Sequence, residues 1–401
     1  MRVAVIGAGA AGTMAAIFAA SGEGEVLLLE RTRDGGRKIL ISGGGRCNVL
    51  PARVDETRFV TKSSPATLRN MLRSWPLREQ IDFFERELGV PLAEEAESAK
   101  LFPVSNRARD VRDGLLRMAR DRGVVFMPDT AVQGFAPIGR GWRIERSNGL
   151  PLEADRVIVA TGGLSVPKTG SDGQGLAVLG ALGHAVHPLY PALTPILAEP
   201  APFAALAGVS LPVSITARSP EWSATATGGF LFTHHGYSGP AVLDVSHVAV
   251  RSRDARLTVQ WTPSGEAGWE AALRPAGAGG VLGALRRELP DRLAGALLLA
   301  AEVDPTRPLA QIRREERRRL VDALVRFELP WTGDEGYKKA EVTGGGMSLA
   351  EIDPRTMESR KHPGLFICGE ALDAFGPIGG YNFLWAWATG RAAGLGTTRR
   401  S

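Results

Sequence analysis

The first thirty residues constrain the fold of this chain more than any other segment. A short apolar run, Arg-Val-Ala-Val-Ile at residues 2–6, leads directly into Gly-Ala-Gly-Ala-Ala-Gly at residues 7–12, and small residues continue to position 20. A second apolar run at residues 26–29 ends at Glu30. A strand, a glycine-rich turn, a helix and a second strand that ends in an acidic residue are typical of a dinucleotide-binding βαβ unit. The sequence therefore predicts an α/β fold with a parallel sheet.

The three glycines of this turn have separate predicted roles. Gly7 permits the tight turn, Gly9 lets the backbone approach a pyrophosphate, and Gly12 lets the helix and strand pack closely. The pyrophosphate would lie at the helix N-terminus, where free N–H groups and the helix dipole favour an anion. Glu30 is placed to accept hydrogen bonds from the ribose hydroxyls of an adenosine. A glycine-rich turn without a ligand is the alternative.

Residues 36–48 form a second glycine-rich block, Gly-Arg-Lys-Ile-Leu-Ile-Ser-Gly-Gly-Gly-Arg-Cys-Asn. We interpret this block as too rich in glycine to be a helix and too basic to belong to a core. Three consecutive glycines allow the backbone to lie against a flat ring system. Arg37, Lys38 and Arg46 can neutralise a phosphate or a substrate anion. The block favours FAD over NAD as the bound dinucleotide.

Further motifs follow in a fixed order along the chain. They are LFPVS at 101–105, VATGG at 159–163, TGSDG at 169–173, FLFTHHGYSGP at 230–240, TGGG at 343–346, GEALD at 369–373 and GGYN at 379–382. With residues 36–48, these motifs resemble the HI0933-like (YhiN-like) family of FAD-dependent flavoproteins over nearly the whole chain. One departure is His235-Gly236-Tyr237, where relatives more often carry an apolar residue before Ser-Gly-Pro, and it leaves the substrate open.

The resemblance implies three segments. A discontinuous Rossmann-type FAD-binding domain is expected at residues 1–195 and 339–401. A β-barrel-like insertion is expected at residues 196–262 and 327–338, and a small helical domain at residues 263–326. The insertion is expected to roof the flavin, with residues 233–240 nearest to the substrate.

The resemblance also implies where FAD is held, without a covalent bond. Glu370 follows an apolar strand, from which its carboxylate can bind ribityl hydroxyls. Residues 379–382 open the last helix, whose N-terminus is expected to face the flavin N1–C2=O edge and stabilise the anionic reduced form. The flavin is therefore expected to contact residues 43–48 and residues 379–382. The full set of predicted cofactor-binding residues is Gly7, Gly9, Ala11, Gly12, Glu30, Arg31, Arg37, Lys38, Gly43, Gly44, Arg46, Cys47, Asn48, Thr161, Gly162, Gly163, Gly369, Glu370, Asp373, Gly380, Tyr381 and Asn382.

Four residues are candidate catalytic groups: His235, Tyr237, Cys47 and Tyr381. His234 and His235 would face opposite sides of a strand, so only one of them can reach a site, and a structural role is equally compatible. Cys368 lies inside an apolar strand and is expected to belong to the core, so a redox pair with Cys47 is not predicted. We find no combination of His, Cys and Asp with metal-ligand spacing, and we predict no metal.

Composition limits the remaining possibilities. The two cysteines exclude a disulfide framework. No apolar run reaches the roughly 18 residues of a membrane span, and the apolar strand beginning at Val3 leaves no room for a signal peptide, so we expect a cytoplasmic protein. The net charge of +5 is uneven, with an arginine-rich segment at residues 307–319. That segment is either a basic surface for nucleic acid or a solvated helix face.

The resemblance implies an FAD-dependent oxidoreductase, for which three functions are weighed. The first is NAD(P)H-driven reduction of an activated C=C bond in a ribosomal RNA uridine or a small enone. The second is oxygen-dependent oxidation of a small amine, which would form peroxide. The third is a flavin-holding RNA-binding or assembly factor without turnover. No second G-x-G-x-x-G stands in a strand–turn–helix context, so NAD(P)H would bind only transiently. The substrate is a small molecule or RNA, no membrane or stable nucleic-acid complex is assumed, and the oligomeric state is left open.

Overall fold

The computed structural model describes residues 1–275 and 279–399. The chain divides into two compact units, which we call the discontinuous unit (Met1–Tyr190 with Glu341–Ser401) and the inserted unit (Pro191–Ala340). Residues 276–278 of the predicted helical domain and 400–401 of the predicted FAD-binding domain lie outside the described residues.

Strands and helices are interspersed along the chain. The strands are β1 (Arg2–Ile6), β2 (Glu25–Leu29), β3 (Leu50–Pro51), β4 (Leu92–Glu95), β5 (Lys100–Pro103), β6 (Val125–Met127), β7 (Val132–Ile138), β8 (Gly141–Arg146), β9 (Leu152–Ala154), β10 (Arg156–Val159), β11 (Val186–Ala192), β12 (Ile196–Leu197), β13 (Ser210–Arg218), β14 (Ser223–Phe232), β15 (Gly236–Ser238), β16 (Arg256–Gln260), β17 (Phe327–Glu328), β18 (Gly333–Asp334), β19 (Val342–Met347) and β20 (Leu365–Ile367). The helices are α1 (Ala10–Ala19), α2 (Arg37–Ile41), α3 (Pro65–Arg73), α4 (Leu77–Asp82), α5 (Ala108–Asp121), α6 (Gln174–Ala181), α7 (Pro240–Arg251), α8 (Gly265–Ala272), α9 (Val281–Leu285), α10 (Asp291–Ala300), α11 (Arg314–Val325) and α12 (Tyr381–Gly396).

The discontinuous unit is built on a five-stranded sheet in the order β20-β10-β1-β2-β6. All four neighbouring pairs are parallel. The apolar residues of β1, β2, β10 and β20 are buried, as expected for a parallel sheet covered on both faces. Parallel strands end at the same edge, so the segments after β1, β2, β10 and β20 meet there, and we call it the carboxyl edge. The predicted α/β fold is confirmed.

Helices α1 and α12 pack against each other through small residues. A Cβ atom added at Gly390 would lie 2.4 Å from the Ala11 carbonyl oxygen, and one added at Gly394 would lie 2.4 Å from that of Ala15. A step of four residues along α12 corresponds to a step of four residues in the same direction along α1, so the two helices are parallel. Because α1 begins at the carboxyl edge, the N-terminus of α12 lies at that edge as well.

The inserted unit contains a seven-stranded sheet in the order β17-β16-β13-β14-β15-β12-β18. One apolar core joins strand residues such as Ile215 and Val259 to helix residues such as Leu293 and Leu320. The strands and the helices of this unit therefore share a core. Within the part of the chain that the structure describes, no helix is long and apolar enough to cross a membrane.

A buried polar cluster joins distant segments of the discontinuous unit. His184 Nδ1 lies 2.7 Å from Glu351 Oε2, and His184 Nε2 lies 3.2 Å from Ser359 Oγ. Ser359 Oγ accepts N–H groups from Lys361 and His362, so its own proton is available to His184 Nε2. The neutral imidazole thereby donates its Nδ1 proton to Glu351. The Ser359 side chain is buried, so this arrangement has a structural role.

We expect acid to weaken the fold through this cluster. Burial lowers the pKa of His184 below its usual 6.5, although Glu351 opposes the shift. The unfolded chain then binds more protons than the native one below pH 6.5, so stability falls as the pH drops through that window, by at most about 1.4 kcal/mol per pH unit for one proton. Urea unfolding between pH 7.5 and 5 measures the slope. His184→Gln should flatten it, without abolishing it, because burial also lowers the pKa of His247 to about 3.

The exposed His234 provides the matched control. His234→Gln should leave the pH slope of the unfolding free energy unchanged. A slope equally steep in His184→Gln and in the unsubstituted protein would contradict the assignment of the effect to this cluster.

Candidate cofactor site

The turn after β1 has the geometry that its glycines predict. The Gly7 N–H donates to the Leu29 carbonyl oxygen at 2.8 Å, with a φ of +101°. A Cβ atom at Gly7 would lie 2.7 Å from the Ala160 carbonyl oxygen, and one at Gly12 would lie 1.8 Å from the carbonyl oxygen of Gly7. Packing of the protein itself therefore requires glycine at both positions.

Gly9 differs from its two neighbours in the motif. Its φ of −78° is open to every residue type, and a Cβ atom there would meet nothing within 4 Å. Neither backbone strain nor protein packing explains a glycine at this position. Gly9 stands immediately before α1, whose first N–H groups have no acceptor within the helix. This open turn fits a pyrophosphate that approaches the backbone closely.

Glu30 at the end of β2 is buried and turned toward the same turn. Its Oε2 accepts from the Ala8 N–H at 2.8 Å, and its Oε1 accepts from the Thr32 N–H and hydroxyl at 2.8 and 2.7 Å. A carboxylate accepts about four hydrogen bonds, so one position is left for a ribose hydroxyl. The neighbouring Arg31 pairs with Asp172.

The segment of residues 36–48 departs from our interpretation in one respect. Residues 37–41 form α2, so the expectation that this block contains no helix is wrong. These five residues contain neither Gly nor Pro, and the helix ends before Gly43, Gly44 and Gly45, all of which have positive φ. A Cβ atom at Gly44 would also meet nothing within 4 Å. Like Gly9, Gly44 leaves an open backbone surface.

The three cations of this block point to different partners. Arg37 pairs with Asp34 at 2.8 Å and Arg46 with Glu95 at 2.9 Å, in each case with both side chains largely exposed. Lys38 alone is turned inward. Its Nζ donates to Glu370 Oε2 at 2.7 Å and to Ser165 Oγ at 2.6 Å.

Glu370 is the centre of a polar network at the carboxyl edge. Its Oε1 accepts from Ser165 Oγ at 2.6 Å and from the Thr343 N–H at 2.9 Å, in addition to the bond from Lys38. Burial raises the pKa of this carboxyl, but the Lys38 ammonium and the hydrogen bonds outweigh burial and hold the pKa below its usual range. Glu370 is therefore ionised and fixed, with about one acceptor position left for a ribityl hydroxyl.

Sequence reasoning did not include Ser165 and Thr343 in the site. The Thr343 hydroxyl accepts from the N–H groups of Leu164 and Ser165 at 2.7 and 3.0 Å. Thr343 opens the TGGG motif and Ser165 is the second residue after the TGG motif. A hydroxyl residue within or next to a glycine motif is the sequence signal that could have identified both.

The two cysteines are buried in the core of the discontinuous unit. Cys47 has a φ of +62°, in the left-handed region that non-glycine residues rarely adopt. Burial raises the pKa of its thiol to about 12, against a hydrogen bond with Ser42 that lowers it. The thiol is buried and protonated, and the catalytic role of Cys47 stays a prediction. Burial likewise raises the pKa of the Cys368 thiol above its usual range.

Residues from the two ends of the chain meet at the N-terminus of α12. In the amide orientation that satisfies both of its ends, Asn48 accepts from the Gly380 N–H at 2.9 Å. A Cβ atom at Gly380 would lie 2.4 Å from the carbonyl carbon of Leu50. The Tyr381 hydroxyl donates to the Arg53 carbonyl oxygen at 3.2 Å, and the Asn382 amide is bonded at both ends to the backbone of Gly376. The structure thus brings together both segments that we expect to contact the flavin.

The remaining predicted cofactor-binding residues include Asp373, Gly369, Thr161, Gly162 and Gly163. Asp373 accepts from the Thr61 hydroxyl, the Lys62 N–H and both donors of Ser63, at 2.9–3.1 Å. The Gly369 carbonyl oxygen accepts from Trp385 Nε1 at 3.0 Å. The Thr161 hydroxyl is buried without a hydrogen-bond partner among the described residues. Gly162 has a φ of +71°, and a Cβ atom at Gly163 would lie 2.3 Å from the Thr343 hydroxyl oxygen.

The catalytic candidates of the inserted unit lie in one hairpin, with His235 in its turn and Tyr237 on its second strand, β15. His234 and His235 are both exposed in the turn between β14 and β15, so the expectation that they lie on a strand and face opposite ways is wrong. The turn closes because the Thr233 N–H donates to the Gly236 carbonyl oxygen at 2.9 Å. Tyr237 is 1% exposed, its hydroxyl has no partner among the described residues, and burial raises its pKa above the usual range. The predicted position of this loop over the flavin stays a prediction.

Three of the six arginines of residues 307–319 bind to other residues of the inserted unit. Arg307 pairs with the buried Glu316 at 3.1 Å, and Arg317 pairs with Glu270 at 3.0 Å. Arg319 Nε donates to the Ala301 carbonyl oxygen at 2.9 Å. This pairing favours a solvated helix face over a nucleic-acid surface, and RNA binding by this segment stays a prediction.

A model of the HI0933-like protein Rossmann domain matches residues 1–396. The chain belongs to the HI0933-like family. A 3-dehydro-bile acid delta(4,6)-reductase of Clostridium scindens is 32% identical over 100% of this chain and 99% of its own. A ribosomal RNA dihydrouridine synthase of Escherichia coli is 32% identical over 96% of this chain and 95% of its own. The ribosomal RNA dihydrouridine synthase of Haemophilus influenzae is 30% identical over 99% of this chain and 98% of its own.

The fold of this HI0933-like protein is also similar to that of a solved structure. The 3-ketosteroid delta1-dehydrogenase of Sterolibacterium denitrificans superposes with a TM-score of 0.53 at 12% identity, and the match covers 99% of each chain. At this identity the likeness concerns the fold alone. The protein is an FAD-dependent oxidoreductase of the HI0933-like family, and these predictions are confirmed.

Proposed function

We propose that this protein uses FAD and NAD(P)H to add hydrogen across an activated C=C bond. The observation that carries the cofactor assignment is the open turn at Gly9, where glycine has no function in the protein's own packing. The reaction is inferred from the names of the relatives. One is a reductase and two form a dihydro product, and both descriptions mean the addition of hydrogen.

The cofactor would be held from two sides of the carboxyl edge. The turn at residues 7–12 and the N-terminus of α1 would bind the pyrophosphate, and Glu30 would bind the adenosine ribose. Residues 43–48 and the N-terminus of α12 would contact the flavin. When bound, FAD supplies two-electron transfer between a nicotinamide and the substrate.

The residues of this chain supply binding and electrostatics. The N-terminus of α12 places positive charge at the carboxyl edge, where it would stabilise negative charge that develops during reduction. The Lys38 ammonium is balanced by the ionised Glu370 beside it. Glu370 and Ser165 fix the Lys38 ammonium in one position through hydrogen bonds of 2.7 and 2.6 Å. Preorganised charge of this kind needs no rearrangement during the reaction.

Anaerobic mixing of the purified protein with NADH or NADPH tests the donor. We expect the visible flavin absorbance to bleach with at least one of the two. Adding a steroid-type enone or a uridine-containing ribosomal RNA fragment should restore the absorbance without oxygen. The acceptor that restores it identifies the substrate class.

Two controls separate this proposal from its alternatives. A protein that neither donor bleaches, but that forms peroxide from a small amine in air, would be an oxidase. A protein that binds RNA and FAD but shows no redox exchange would be a binding factor. Either outcome contradicts the reductase proposal.

A further inference from the structure

Four arginines surround one cavity at the C-terminal end of α12. The cavity has a volume of about 500 Å³, and the side chains that line it include Asn70, Arg73, Arg355, Arg391 and Arg399. All of them belong to the discontinuous unit. None of the described residues lining the cavity is acidic.

The cavity is separate from the candidate cofactor site. Helix α12 has 16 residues and is therefore about 24 Å long. Its N-terminus lies at the carboxyl edge of the sheet, and its C-terminal end lies at the opposite edge. There, Arg156 at the start of β10 donates to the Arg399 carbonyl oxygen at 3.0 Å. A ligand in this cavity is therefore not the flavin or the pyrophosphate of FAD.

One guanidinium of the cavity is held in a fixed position. Arg391 stacks over two aromatic rings, 5.1 Å from the centroid of Trp75 and 5.4 Å from that of Phe18. Its Nη1 also donates to the Ser74 carbonyl oxygen at 3.3 Å. An arginine that is stacked and hydrogen-bonded loses little further entropy when it binds an anion.

The charges of the other three arginines are only partly compensated. Arg73 forms two hydrogen bonds of 2.9 Å with Glu56. Arg355 and Arg399 are exposed, and their side chains make no ion pair within the described residues. Two of the four cationic side chains that line the cavity therefore have no acidic partner among the described residues, and an anion in the cavity would be attracted to both.

We propose that this cavity binds a phosphate group. Guanidinium groups match phosphate oxygens with paired, charge-assisted hydrogen bonds, and a phosphate ester has enough oxygens for several arginines at once. The phosphate belongs either to an RNA strand or to a free nucleotide. This site does not depend on the proposed redox reaction, because it lies away from the cofactor edge.

Binding to the FAD-loaded protein tests the proposal with two probes. The first is a short single-stranded RNA and the second is inorganic pyrophosphate, each titrated at several salt concentrations. Reversing two charges with Arg355→Glu and Arg399→Glu should weaken binding of the cognate probe by about tenfold or more, since each lost charge-assisted contact is worth about that factor. RNA binding that Arg355→Glu with Arg399→Glu weakens, in a protein that does not bind pyrophosphate on its own, identifies a strand as the source, and binding of pyrophosphate alone identifies a free phosphate.

Matched variants make the result decisive. Arg117→Glu with Arg120→Glu reverses two exposed arginines of α5 that lie outside the cavity, and should leave binding within about twofold. Unchanged FAD content and melting temperature show that each variant is folded. The proposal is overturned if neither probe binds, if both pairs weaken binding equally, or if only the α11 pair Arg314→Glu with Arg318→Glu abolishes it.

Discussion

Replacing Gly9 with leucine is expected to give a folded but colourless protein. The added side chain begins in open space and the backbone conformation suits any residue, so the apoprotein should keep its melting temperature within a few degrees. The same side chain would occupy the position where a pyrophosphate approaches the turn. We expect the ratio of flavin absorbance to protein to fall at least tenfold. In the unsubstituted protein, heat or acid should release intact FAD, because the sequence has no His or Cys spaced as an obvious covalent attachment site.

Two glycine variants complete this experiment. Gly134 in β7 also has open space around its Cβ position and an ordinary φ, so Gly134→Leu should retain full FAD occupancy. Gly12→Ala should fail to fold, because the new methyl group would lie 1.8 Å from the Gly7 carbonyl oxygen. Full FAD occupancy in Gly9→Leu would refute the assignment of this turn.

Removing Lys38 is expected to destabilise the discontinuous unit strongly. Lys38→Met leaves the Glu370 carboxylate without its counter-ion while Ser165 and Thr343 still surround it. Breaking a buried ion pair from one side costs about 3–5 kcal/mol, and we expect about 3 kcal/mol because the two side chains retain 27% and 18% exposure. Urea unfolding of the apoprotein measures this change without any contribution from bound FAD.

A double-mutant cycle measures the interaction energy between Lys38 and Glu370 apart from their interactions with other residues. Glu370→Gln alone leaves the ammonium unpaired, whereas the double variant Lys38→Met with Glu370→Gln removes both charges. The double variant should be more stable than the sum of the single changes predicts, with a coupling of at least about 1 kcal/mol. Additive changes would show that the two side chains do not interact. The surface pair of Arg37 with Asp34 is the matched control, and its coupling should stay below about 1 kcal/mol.

The close backbone approaches of the candidate site could be predicted from the sequence, because glycine reports backbone requirements directly, whereas helix α2 within residues 36–48 could not. Gly7, Gly12 and Gly380 each stand where a Cβ atom would strike another part of the backbone. Positions of this kind appear in the sequence as fixed glycine spacings within a strand–turn–helix context. The meeting of residues 43–48 with the start of α12 followed from the resemblance.

The partners of the polar side chains could not be predicted in the same way. Lys38 and Arg37 are adjacent cations of similar length, yet one is turned inward to Glu370 and the other outward to Asp34. The difference depends on where α2 lies against the sheet, which the local sequence does not encode. Tyr237 lies in a motif with several polar residues, which suggests an exposed side chain. The pairing of β15 with β12 and β14 instead places the Tyr237 side chain in the core.

The parallel packing of α1 and α12 has a consequence for the order in which parts of the protein fold during synthesis. Lys38 bonds Glu370 across 332 positions of sequence, and Trp387 bonds the Val49 carbonyl oxygen across 338. Closing loops of this length is slow, and a ribosome releases α12 only after almost all of the preceding chain. The inserted unit is complete in sequence before α12 is made and can form its own core first. The N-terminal turn is therefore made long before the helix that completes its edge, and we expect FAD to be captured only after α12 has been synthesised.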